Sequence, residues 1–579
     1  MRYLALCTDY DGTIATHGVV DEPTIAALAR LKQSGRKLVM VTGREMSELV
    51  SVFARLDLFD LVVAENGATL YKPSTQEEKS LVEPPLPAFV AALQARGVTP
   101  LSVGKTIVAT FEPHEKAVLE VIRDLGLELQ VIFNKGAVMV LPSGVNKATG
   151  LKAALTELNL SAHNAVGVGD AENDHAFLSI CECAVAVANA LPSVKEKADF
   201  VTAATHGPGV TQLIEEMLHD DLQAREPSLV RHHILLGATH DHAPVHFSPY
   251  GVNALIVGTS GGGKSTVAAG LVERLRTQGY SFCIIDPEGD YDTVESAVML
   301  GGPDHAPEID ECIQLLRKPE QNAVINLMGV KFQDRPWFFM TLFARIRDLR
   351  ARTGRPHWVI VDEAHHVMPS SWQPTELALP EQLEGVLLVS VSPGLLAKSL
   401  LRAVDTIVML GDRPRQMLHE FTQANKVEMV EPPVEQLAPG EALLWSKSAG
   451  AAPLQLKLEP SKLEHRRHLR KYAEGELPED RSFFFRGPEG KLKLRAANLI
   501  TFMELGDGVD DDTWRFHLQR HDVSQWLRGV IKNEELAEQV AVIESQDVDA
   551  DISRQEVRNL IEAEYTLPAS APASTTPPR

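Results

Sequence analysis

Two aspartates near the start of the chain, Asp9 and Asp11, stand at the end of the apolar run YLALCT. Side chains two residues apart on a β-strand point to the same side, so both carboxylates are expected to enter one small space. Two like charges held this close repel each other unless a proton or a cation compensates them. The pair therefore predicts a compensating partner that other parts of the chain must supply.

Three further segments are predicted to bring such partners to the same edge of a parallel sheet. Thr42 and Gly43 follow the apolar run KLVMV, Asp170 and Asp174 follow NAVGVG, and Lys147 begins a helical pattern. Ligands of open parallel sheets bind beyond the carboxyl ends of the strands. Grouped carboxylates suit Mg²⁺, whereas the lysine and the threonine hydroxyl suit a phosphoryl group.

These residue types together indicate phosphoryl transfer. Asp9 is suited to attack phosphorus and form an aspartyl phosphate. Asp11 is suited to protonate the leaving alcohol and later to activate water. The predicted ligands of the substrate phosphate are Thr42, Gly43 and Lys147.

The stretches DYDGT, VTGR, Lys147 and GDAEND resemble, in this order, the four motifs of the haloacid dehalogenase (HAD) superfamily of phosphatases. The segment between the second and third motifs resembles the α+β cap of its Cof-like branch. The resemblance implies Asp9 as nucleophile and Asp11 as general acid and base. The implied Mg²⁺ ligands are Asp9, Asp170 and the main chain of Asp11, with Asp174 in or next to the metal shell. Phosphoglycolate and sugar-phosphate phosphatases both fit, so the substrate stays open between them.

A second motif, G-x-x-x-x-G-K-S, runs from Gly258 to Ser265, between the apolar run NALIV and a helical pattern. This setting suits phosphate binding because successive backbone N–H groups and a helix N-terminus face the phosphates. Lys264 is predicted to reach the β- and γ-phosphates of ATP, and Ser265 to ligate Mg²⁺. The predicted ATP-binding residues are Gly258, Thr259, Ser260, Gly261, Gly262, Gly263, Lys264, Ser265 and Thr266.

The stretch HWVIVDEAHH predicts the counterpart of this loop. A buried strand is expected to deliver Asp362 to Mg²⁺ and Glu363 to the attacking water. His365 and His366 are adjacent, so on a helix they point about 100° apart. This spacing favours a structural or polar-network role over a shared metal ion.

The second half resembles the HerA/FtsK-type ATPases in the phosphate loop, IIDPEGDY, DEAHH and the later run LLVSVSP. The resemblance implies that Asp286 and Glu288 lie close to the nucleotide. It also implies ring oligomers in which an arginine completes the neighbouring site. Where that family often has a glutamine that senses the γ-phosphate, this chain has Ser390 or Ser392. The candidate arginines are Arg402, Arg413 and Arg415.

The alternation of strand and helix patterns predicts an α/β multidomain protein, and 579 residues suit three or four domains. We expect a Rossmann-like HAD core with an α+β cap, a P-loop α/β domain and a small, mainly helical C-terminal domain. In the last of these, Asp510 and the two aspartates after it are expected to begin a helix. The predicted divisions are 1–220 with a cap at about 68–145, 221–458, a charged linker at 459–480, 481–565, and a disordered tail at 566–579.

Charge and composition argue against several other classes of protein. The net charge of −22 argues against a broad surface for nucleic acid or anionic membranes. No apolar run approaches the roughly 20 residues that span a bilayer, and the first residues lack the basic segment of a signal peptide. We therefore expect a cytoplasmic protein without a membrane partner. Cys181 and Cys183 lie in an apolar run and are predicted to pack rather than to bind metal.

The favoured hypothesis is a Mg²⁺-dependent phosphatase of small phosphate monoesters, fused to an ATP-hydrolysing domain that assembles or regulates it. Its expected partners are a small phosphorylated metabolite, ATP and further copies of the chain. The alternative is a ring-forming ATPase that remodels DNA or RNA, with a phosphatase domain acting on nucleotides or polynucleotide ends. A third hypothesis, a kinase–phosphatase pair, is disfavoured because Glu363 beside Asp362 is typical of hydrolytic ATPases.

Overall fold

The computed structural model describes most of the chain, and the statements below concern these residues. They are 1–134, 136–259, 262–291, 294, 296–372, 383–447, 452–461, 477, 482–488, 490, 492–531, 533–546 and 548–565. The chain divides into two compact units, residues 1–459 and residues 460–579. Most of the predicted linker, and the whole predicted tail at 566–579, lie outside the described residues.

Residues 1–220, which the sequence predicts to be a phosphatase and which we call the phosphatase half, alternate strands and helices. Its strands are β1 (Ala5–Thr8), β2 (Lys37–Val41), β3 (Leu61–Ala64), β4 (Thr69–Lys72), β5 (Glu77–Ser80), β6 (Ser102–Val103), β7 (Val108–Phe111), β8 (Leu129–Asn134), β9 (Ala137–Pro142), β10 (Ala165–Gly169), β11 (Cys183–Ala186) and β12 (Phe200–Val201). Its helices are α1 (Glu22–Gln33), α2 (Met46–Val52), α3 (Pro87–Ala95), α4 (Glu115–Asp124), α5 (Lys147–Glu157), α6 (His175–Ile180), α7 (Pro192–Lys197) and α8 (His206–Asp220).

The main sheet of this half has the order β12-β11-β10-β1-β2-β3-β4-β5. From β12 to β3 the strands are parallel, and β4 and β5 continue antiparallel. Strands β1, β3 and β10 are buried along their whole length because helices cover both faces, as is typical of parallel sheets. Their carboxyl ends therefore meet at one edge, where the motif residues follow.

The inserted segment forms a separate antiparallel sheet of order β6-β7-β9-β8, packed on α3 and α4. The predicted cap range of 68–145 also includes β4 and β5, which pair with the main sheet instead. The reason is that residues 69–80 form a hairpin whose first strand continues the sheet from β3. The small sheet itself spans residues 102–142.

Residues 221–458, which the sequence predicts to be an ATPase and which we call the ATPase half, contain a second sheet. Its strands are β13 (Ile234–Ala238), β14 (Pro244–Phe247), β15 (Asn253–Gly258), β16 (Phe282–Asp286), β17 (Ala297–Leu300), β18 (Asn322–Asn326), β19 (Trp358–Val361), β20 (Val386–Ser390), β21 (Thr406–Leu410), β22 (Glu441–Ser446) and β23 (Leu454–Leu458). Its helices are α9 (Lys264–Thr277), α10 (Ile309–Leu316), α11 (Arg335–Thr353), α12 (Ala364–Val367), α13 (Lys398–Arg402) and α14 (Pro414–Asn425).

This sheet has the order β14-β13-β23-β22-β21-β15-β20-β19-β16-β18-β17 and is parallel from β21 to β17. Strand β20 lies between β15, which leads into the phosphate loop, and β19, which leads to Asp362. Strand β16 lies on the other side of β19. The segments that sequence analysis assigned to ATP therefore follow neighbouring strands.

Buried polar side chains join the two halves of the first unit. The carboxylate of Glu182 accepts hydrogen bonds from Arg2 Nη2 (2.9 Å) and Tyr280 Oη (2.8 Å), and lies 2.7 Å from His163 Nδ1. The ring of Tyr280 stacks on His163 at 3.8 Å between centroids, and Tyr250 Oη donates to the His163 carbonyl. We call these five residues the inter-sheet cluster. It links residues before β16 to residues before β1, β10 and β11.

The second unit has its own apolar core. Its strands are Phe483–Phe485 and Leu494–Ala496, and its helical segments are Leu499–Gly508, Asp511–Gln519, Asp522–Trp526, Leu527–Ile531, Glu534–Glu544 and Ala550–Tyr565. Asp510 caps the second of these helices by accepting the Thr513 N–H at 2.8 Å, as the sequence predicts. Within the described residues, no helix combines the length and the apolar character needed to cross a bilayer.

Candidate functional site

The centre of the first site is a buried lysine between two carboxylates. Lys147 Nζ donates hydrogen bonds to Asp9 Oδ1 and to Asp174 Oδ1, each at 2.6 Å. Lys147 begins α5, whose N-terminus is fixed by a capping box on Asn146. Asp9 directly follows β1, so a helix N-terminus and a strand end meet at this point.

Asp170 completes the carboxylate group. Carboxylate oxygens of Asp9, Asp170 and Asp174 lie within 4.8 Å of one another, and all three residues are buried. Asp174 Oδ2 also accepts the N–H groups of Asp170 and Ala171, at 2.8 and 2.9 Å, which fixes the turn after β10. Three convergent carboxylates form a hard-oxygen donor set, and this chemistry fits Mg²⁺.

A glycine leaves room for this group of carboxylates. Gly12 has φ +89°, and a Cβ on it would lie 2.3 Å from Asp170 Oδ2. Both the backbone conformation and the space therefore require glycine at this position. The G of DYDGT is explained by this close approach.

The electrostatics of the site follow from burial and repulsion. Burial, and then the charge of Asp174, raise the pKa of Asp9 to about 7. For Lys147, burial opposes the charged form, but Asp174 and Asp9 outweigh it and raise its pKa above the usual value. A cation beside Asp9 favours its ionised form, which is the form a nucleophile needs.

Asp11 lies at the more exposed side of the site and is held by an arginine. Arg44 Nε and Nη2 donate to its two carboxylate oxygens at 2.6 and 2.7 Å, a bidentate ion pair. Thr42 is buried, and its hydroxyl accepts the Arg44 N–H at 3.1 Å. Arg44 belongs to the quoted VTGR motif, but sequence analysis gave it no role.

A cavity of about 230 Å³ opens onto these groups. It is lined by Asp9, Asp11, Gly43, Arg44, Glu48, Met139, Lys147, Ala171 and Asn173. Met139 lies on β9 of the small sheet, so the inserted segment closes one side of the cavity. Sequence analysis missed Glu48, Met139 and Asn173, and only Asn173, inside GDAEND, carried a motif signal.

Glu65 ties the small sheet to the main sheet. Its carboxylate accepts the N–H groups of Lys105, Thr106 and Ile107, at 2.8–3.1 Å, together with the Thr106 hydroxyl at 2.8 Å. Glu65 is buried and has φ +48°, in the left-handed region. This anchor holds the turn between β6 and β7 against the segment after β3. No sequence signal marked it.

The second site surrounds the phosphate loop after β15. Gly263, with φ +86°, precedes α9, and Lys264, Ser265 and Thr266 form its first turn. Gly262 donates its N–H to the Thr259 carbonyl at 2.9 Å, and the buried Lys264 Nζ donates to the same carbonyl at 3.3 Å. Ser260 and Gly261, which the sequence assigned to ATP binding, lie outside the described residues.

Asp362 and Glu363 follow β19. Asp362 is buried, its Oδ1 has no hydrogen-bond partner among the described residues, and burial together with the Glu363 charge raises its pKa to about 7. Glu363 has φ +36°, and burial raises its pKa above the usual value. A buried, unpartnered carboxylate oxygen beside a phosphate loop fits a Mg²⁺ ligand, which would compensate its charge.

Asp286 and Glu288, which the resemblance places close to the nucleotide, and the candidate arginines have different surroundings. Asp286 accepts the N–H groups of Glu288, Gly289 and Tyr291, at 2.8–3.1 Å, and so shapes its own loop. Glu288 Oε1 lies 3.0 Å from His366 Nδ1. The candidate arginines Arg402, Arg413 and Arg415 are exposed, and Arg415 pairs with Glu431 at 2.8 Å.

Ser390 and Ser392 have separate partners. Ser390 is buried at the end of β20 and its Oγ lies 3.3 Å from His365 Nδ1. Ser392 donates its hydroxyl to Glu420 and accepts the Gly394 N–H at 3.2 Å. Of the two serines, Ser390 is therefore the one that contacts the DEAHH segment. Cys181 and Cys183 are buried without disulfides, in agreement with the predicted packing role.

Two family models match separate parts of the chain. The family model of haloacid dehalogenase-like hydrolases matches residues 6–91 and 102–214, and the model of the central domain of helicase HerA matches residues 253–350.

The curated relatives match the first of these regions. A phosphoglycolate phosphatase from Methanothermobacter thermautotrophicus is 29% identical over 37% of this chain and 98% of its own length. Phosphoglycolate phosphatase 2 from Saccharolobus solfataricus is 28% identical over 37% of this chain and 92% of its own length.

A crystal structure of a haloacid dehalogenase-like hydrolase from Bacteroides thetaiotaomicron is 18% identical, with a TM-score of 0.33, and covers 37% of this chain and 99% of its own. Each of the two resemblances read from the motifs is confirmed by the match of a family model.

Proposed function

We propose that the phosphatase half hydrolyses small phosphate monoesters through an aspartyl phosphate on Asp9. The observation that carries the proposal is the buried contact of Lys147 with Asp9 and Asp174, with Asp170 within 4.8 Å, at the floor of an open cavity. A carboxylate nucleophile, a fixed cation and a hard-oxygen metal site are the parts that phosphoryl transfer needs.

The roles follow from the positions. Asp9 attacks phosphorus, and Lys147 neutralises charge on the phosphoryl oxygens, which Thr42 and Gly43 also approach from the end of β2. Asp11 donates a proton to the leaving oxygen and then takes one from the water that cleaves the aspartyl phosphate. Mg²⁺ would be held by Asp9, Asp170 and the main chain of Asp11, next to Asp174, and would supply further neutralisation of the phosphoryl charge.

Phosphoglycolate is the substrate that we favour over a sugar phosphate. The cations among the lining residues are Arg44 and Lys147, and the cavity of about 230 Å³ suits a small ester. A substrate carboxylate that pairs with the guanidinium of Arg44 would replace Asp11 in that ion pair. Asp11 would then be available to protonate the leaving oxygen. The names of the relatives point to the same substrate.

Phosphate release from the full chain with Mg²⁺ tests this proposal. The substrates are phosphoglycolate, sugar phosphates, nucleotides and end-phosphorylated oligonucleotides, with Asp9→Asn as the inactive variant and the exposed Asp241→Asn as its control. Arg44→Ala is expected to raise KM for phosphoglycolate about 10- to 100-fold, because a charged hydrogen bond contributes about 1.5–3 kcal/mol. An equal rise in KM for sugar phosphates, whose sugar part carries no charge, would contradict the role of Arg44. Phosphate release that survives Asp9→Asn would contradict the proposal itself.

We further propose that the ATPase half hydrolyses ATP and assembles or regulates the phosphatase in a homo-oligomer. Lys264 contacts the phosphates, Ser265 and Asp362 hold Mg²⁺, and Glu363 directs the attacking water. The inter-sheet cluster supports a link between the halves because it joins them through buried contacts. ATP turnover by the full chain, with and without Lys264→Ala, and the mass of the particle with and without ATP test this proposal.

Residues 253–350 match the HerA central domain, and this match favours one alternative, a nucleic-acid-remodelling ATPase. In that case DNA or RNA is expected to stimulate ATP turnover, and binding is expected to weaken steeply with salt. Turnover that does not respond to any nucleic acid, from a chain of net charge −22, would contradict this alternative.

A further inference from the structure

Three side chains meet at the carboxyl ends of the neighbouring strands β19 and β20. Glu363 follows β19, His365 lies in α12 two residues later, and Ser390 ends β20. His365 Nδ1 lies 3.3 Å from Ser390 Oγ and 3.3 Å from Glu363 Oε2. Since β20 lies between β15 and β19, Ser390 stands between the phosphate loop and the DEAHH segment.

The direction of the hydrogen bonds can be derived. Ser390 Oγ donates its single hydrogen to the Ser392 carbonyl at 3.2 Å. It therefore presents a lone pair to His365, and the Nδ1 atom must carry the hydrogen. Burial, with the nearby charges of His366 and Lys264, lowers the pKa of His365 to about 4, so the ring is neutral near pH 7. The neutral ring with hydrogen on Nδ1 is the form that can donate to Ser390 Oγ or to Glu363 Oε2.

Glu363 needs such support. Its backbone is in the left-handed region, and its buried Oε2 atom has no hydrogen bond within the described part of the chain. Its Oε2 atom lies 3.3 Å from His365 Nδ1, so the imidazole N–H is a donor placed beside it. The ring of His366 packs on that of His365, at 4.3 Å between centroids, but its Nδ1 lies 3.0 Å from Glu288 Oε1.

We propose that His365 is the positioning residue that holds Glu363 toward the attacking water and couples it to Ser390 on β20. The pair Ser390–His365 thereby takes the place of a single long polar side chain at the end of β20. A shift of β20 on nucleotide binding moves the Glu363 carboxylate through the imidazole. The inference rests on the proposed ATP hydrolysis and deepens it.

The test is ATP turnover by the full chain, with binding of a fluorescent ATP analogue measured separately. His365→Ala is expected to lower kcat by about 10- to 100-fold with an unchanged Kd for the analogue, because it misplaces the carboxylate that directs water. His365→Asn, whose amide can donate from a similar position, is expected to restore part of kcat. His246→Ala, at an exposed histidine on the edge strand β14, is the control and is expected to leave kcat within about twofold of wild type.

Coupling to Ser390 is tested by a double-mutant cycle. Ser390→Ala is expected to lower kcat less than His365→Ala, and the double variant to equal His365→Ala alone. Additive losses, or a His365→Ala variant with wild-type kcat, would overturn the inference. Phosphatase activity of each preparation reports whether the chain is folded.

Two results separate this inference from the proposed function. Turnover by wild type that is lost in Glu363→Gln and kept in His365→Ala overturns the inference alone. Absence of turnover in wild type, with intact phosphatase activity, overturns both.

Discussion

Replacement of Glu182 with glutamine is expected to destabilise the first unit, and the structure gives the size of the effect. In the folded chain burial opposes ionisation of this carboxyl, but His163 and Arg2 outweigh it and lower its pKa from 4.5 to about 2. At about 1.36 kcal/mol per pKa unit, this difference stabilises the folded state by about 3 kcal/mol near pH 7. The glutamine variant keeps the shape of the side chain and loses this contribution.

The sign of the pH dependence follows from the lowered pKa. The stabilisation is fully present above pH 4.5 and is lost as the pH falls from 4.5 toward 2. At pH 3 we expect about 1 kcal/mol of it to remain, from the same two pKa values. The difference in unfolding free energy between wild type and Glu182→Gln should therefore shrink by more than half between pH 7 and pH 3.

Calorimetric unfolding of the full chain measures this difference. For a unit of 459 residues, about 3 kcal/mol corresponds to roughly 3 °C in Tm at pH 7. The matched control is Glu196→Gln, an exposed glutamate in the same half of the unit, for which no shift is expected. Equal Tm values for wild type and Glu182→Gln at pH 7, or a difference that is the same at both pH values, would refute the reasoning.

Three further substitutions test the phosphatase half. Gly12→Ala is expected to abolish phosphate release without unfolding the chain, because the added Cβ would collide with Asp170 Oδ2. Retained activity would show that the site tolerates a side chain at this position. Asn146→Ala should cost about 1 kcal/mol in unfolding free energy and lower kcat, since it removes the cap that fixes Lys147. Chemical denaturation with parallel kinetics measures both effects, and Lys152→Ala, at an exposed position of the same helix, is the control. Glu65→Gln should raise the rate of proteolysis between β6 and β7, and unchanged cleavage would show that the anchor is not needed.

The sequence was sufficient for the residues that lie directly after strands. Asp9 and Asp170 follow runs that are buried on both faces, and the rule that parallel strands end at one edge brings them together without knowledge of the rest of the chain. Lys147 joins them because its helix begins with a recognisable cap. Their roles in catalysis stay predictions until phosphate release is measured.

The sequence did not predict contacts between residues that are distant along the chain. Arg44 contacts Asp11 across 33 positions of the chain, and Glu65 anchors a turn 41 positions later. Met139 reaches the cavity only because the small sheet folds back over the main one. Glu182 stands in the run SICECAVAVA, where its apolar neighbours indicate a strand and say nothing of the polar cluster that surrounds it.

The position of the inter-sheet cluster limits how the two sites can influence each other. Arg2 and His163 precede β1 and β10, which lead to Asp9 and Asp170, and Tyr280 precedes β16, which leads to the loop of Asp286. Each site therefore lies at the far end of strands that start at the cluster, six or seven residues along the chain. At 3.3 Å per residue this separation is roughly 20 Å. One route for an effect of ATP on the phosphatase within one chain runs along these strands and through Glu182, beside other contacts between the halves such as that of Arg355 Nη2 with the Asn159 carbonyl at 2.9 Å. Since His163, Arg2 and Tyr280 already satisfy the Glu182 carboxylate, a nucleotide can act through it only by breaking one of these contacts. We therefore expect that Glu182→Gln, which weakens them, alters any dependence of phosphatase kinetics on ATP, whereas an effect unchanged in this variant would indicate transmission by another route.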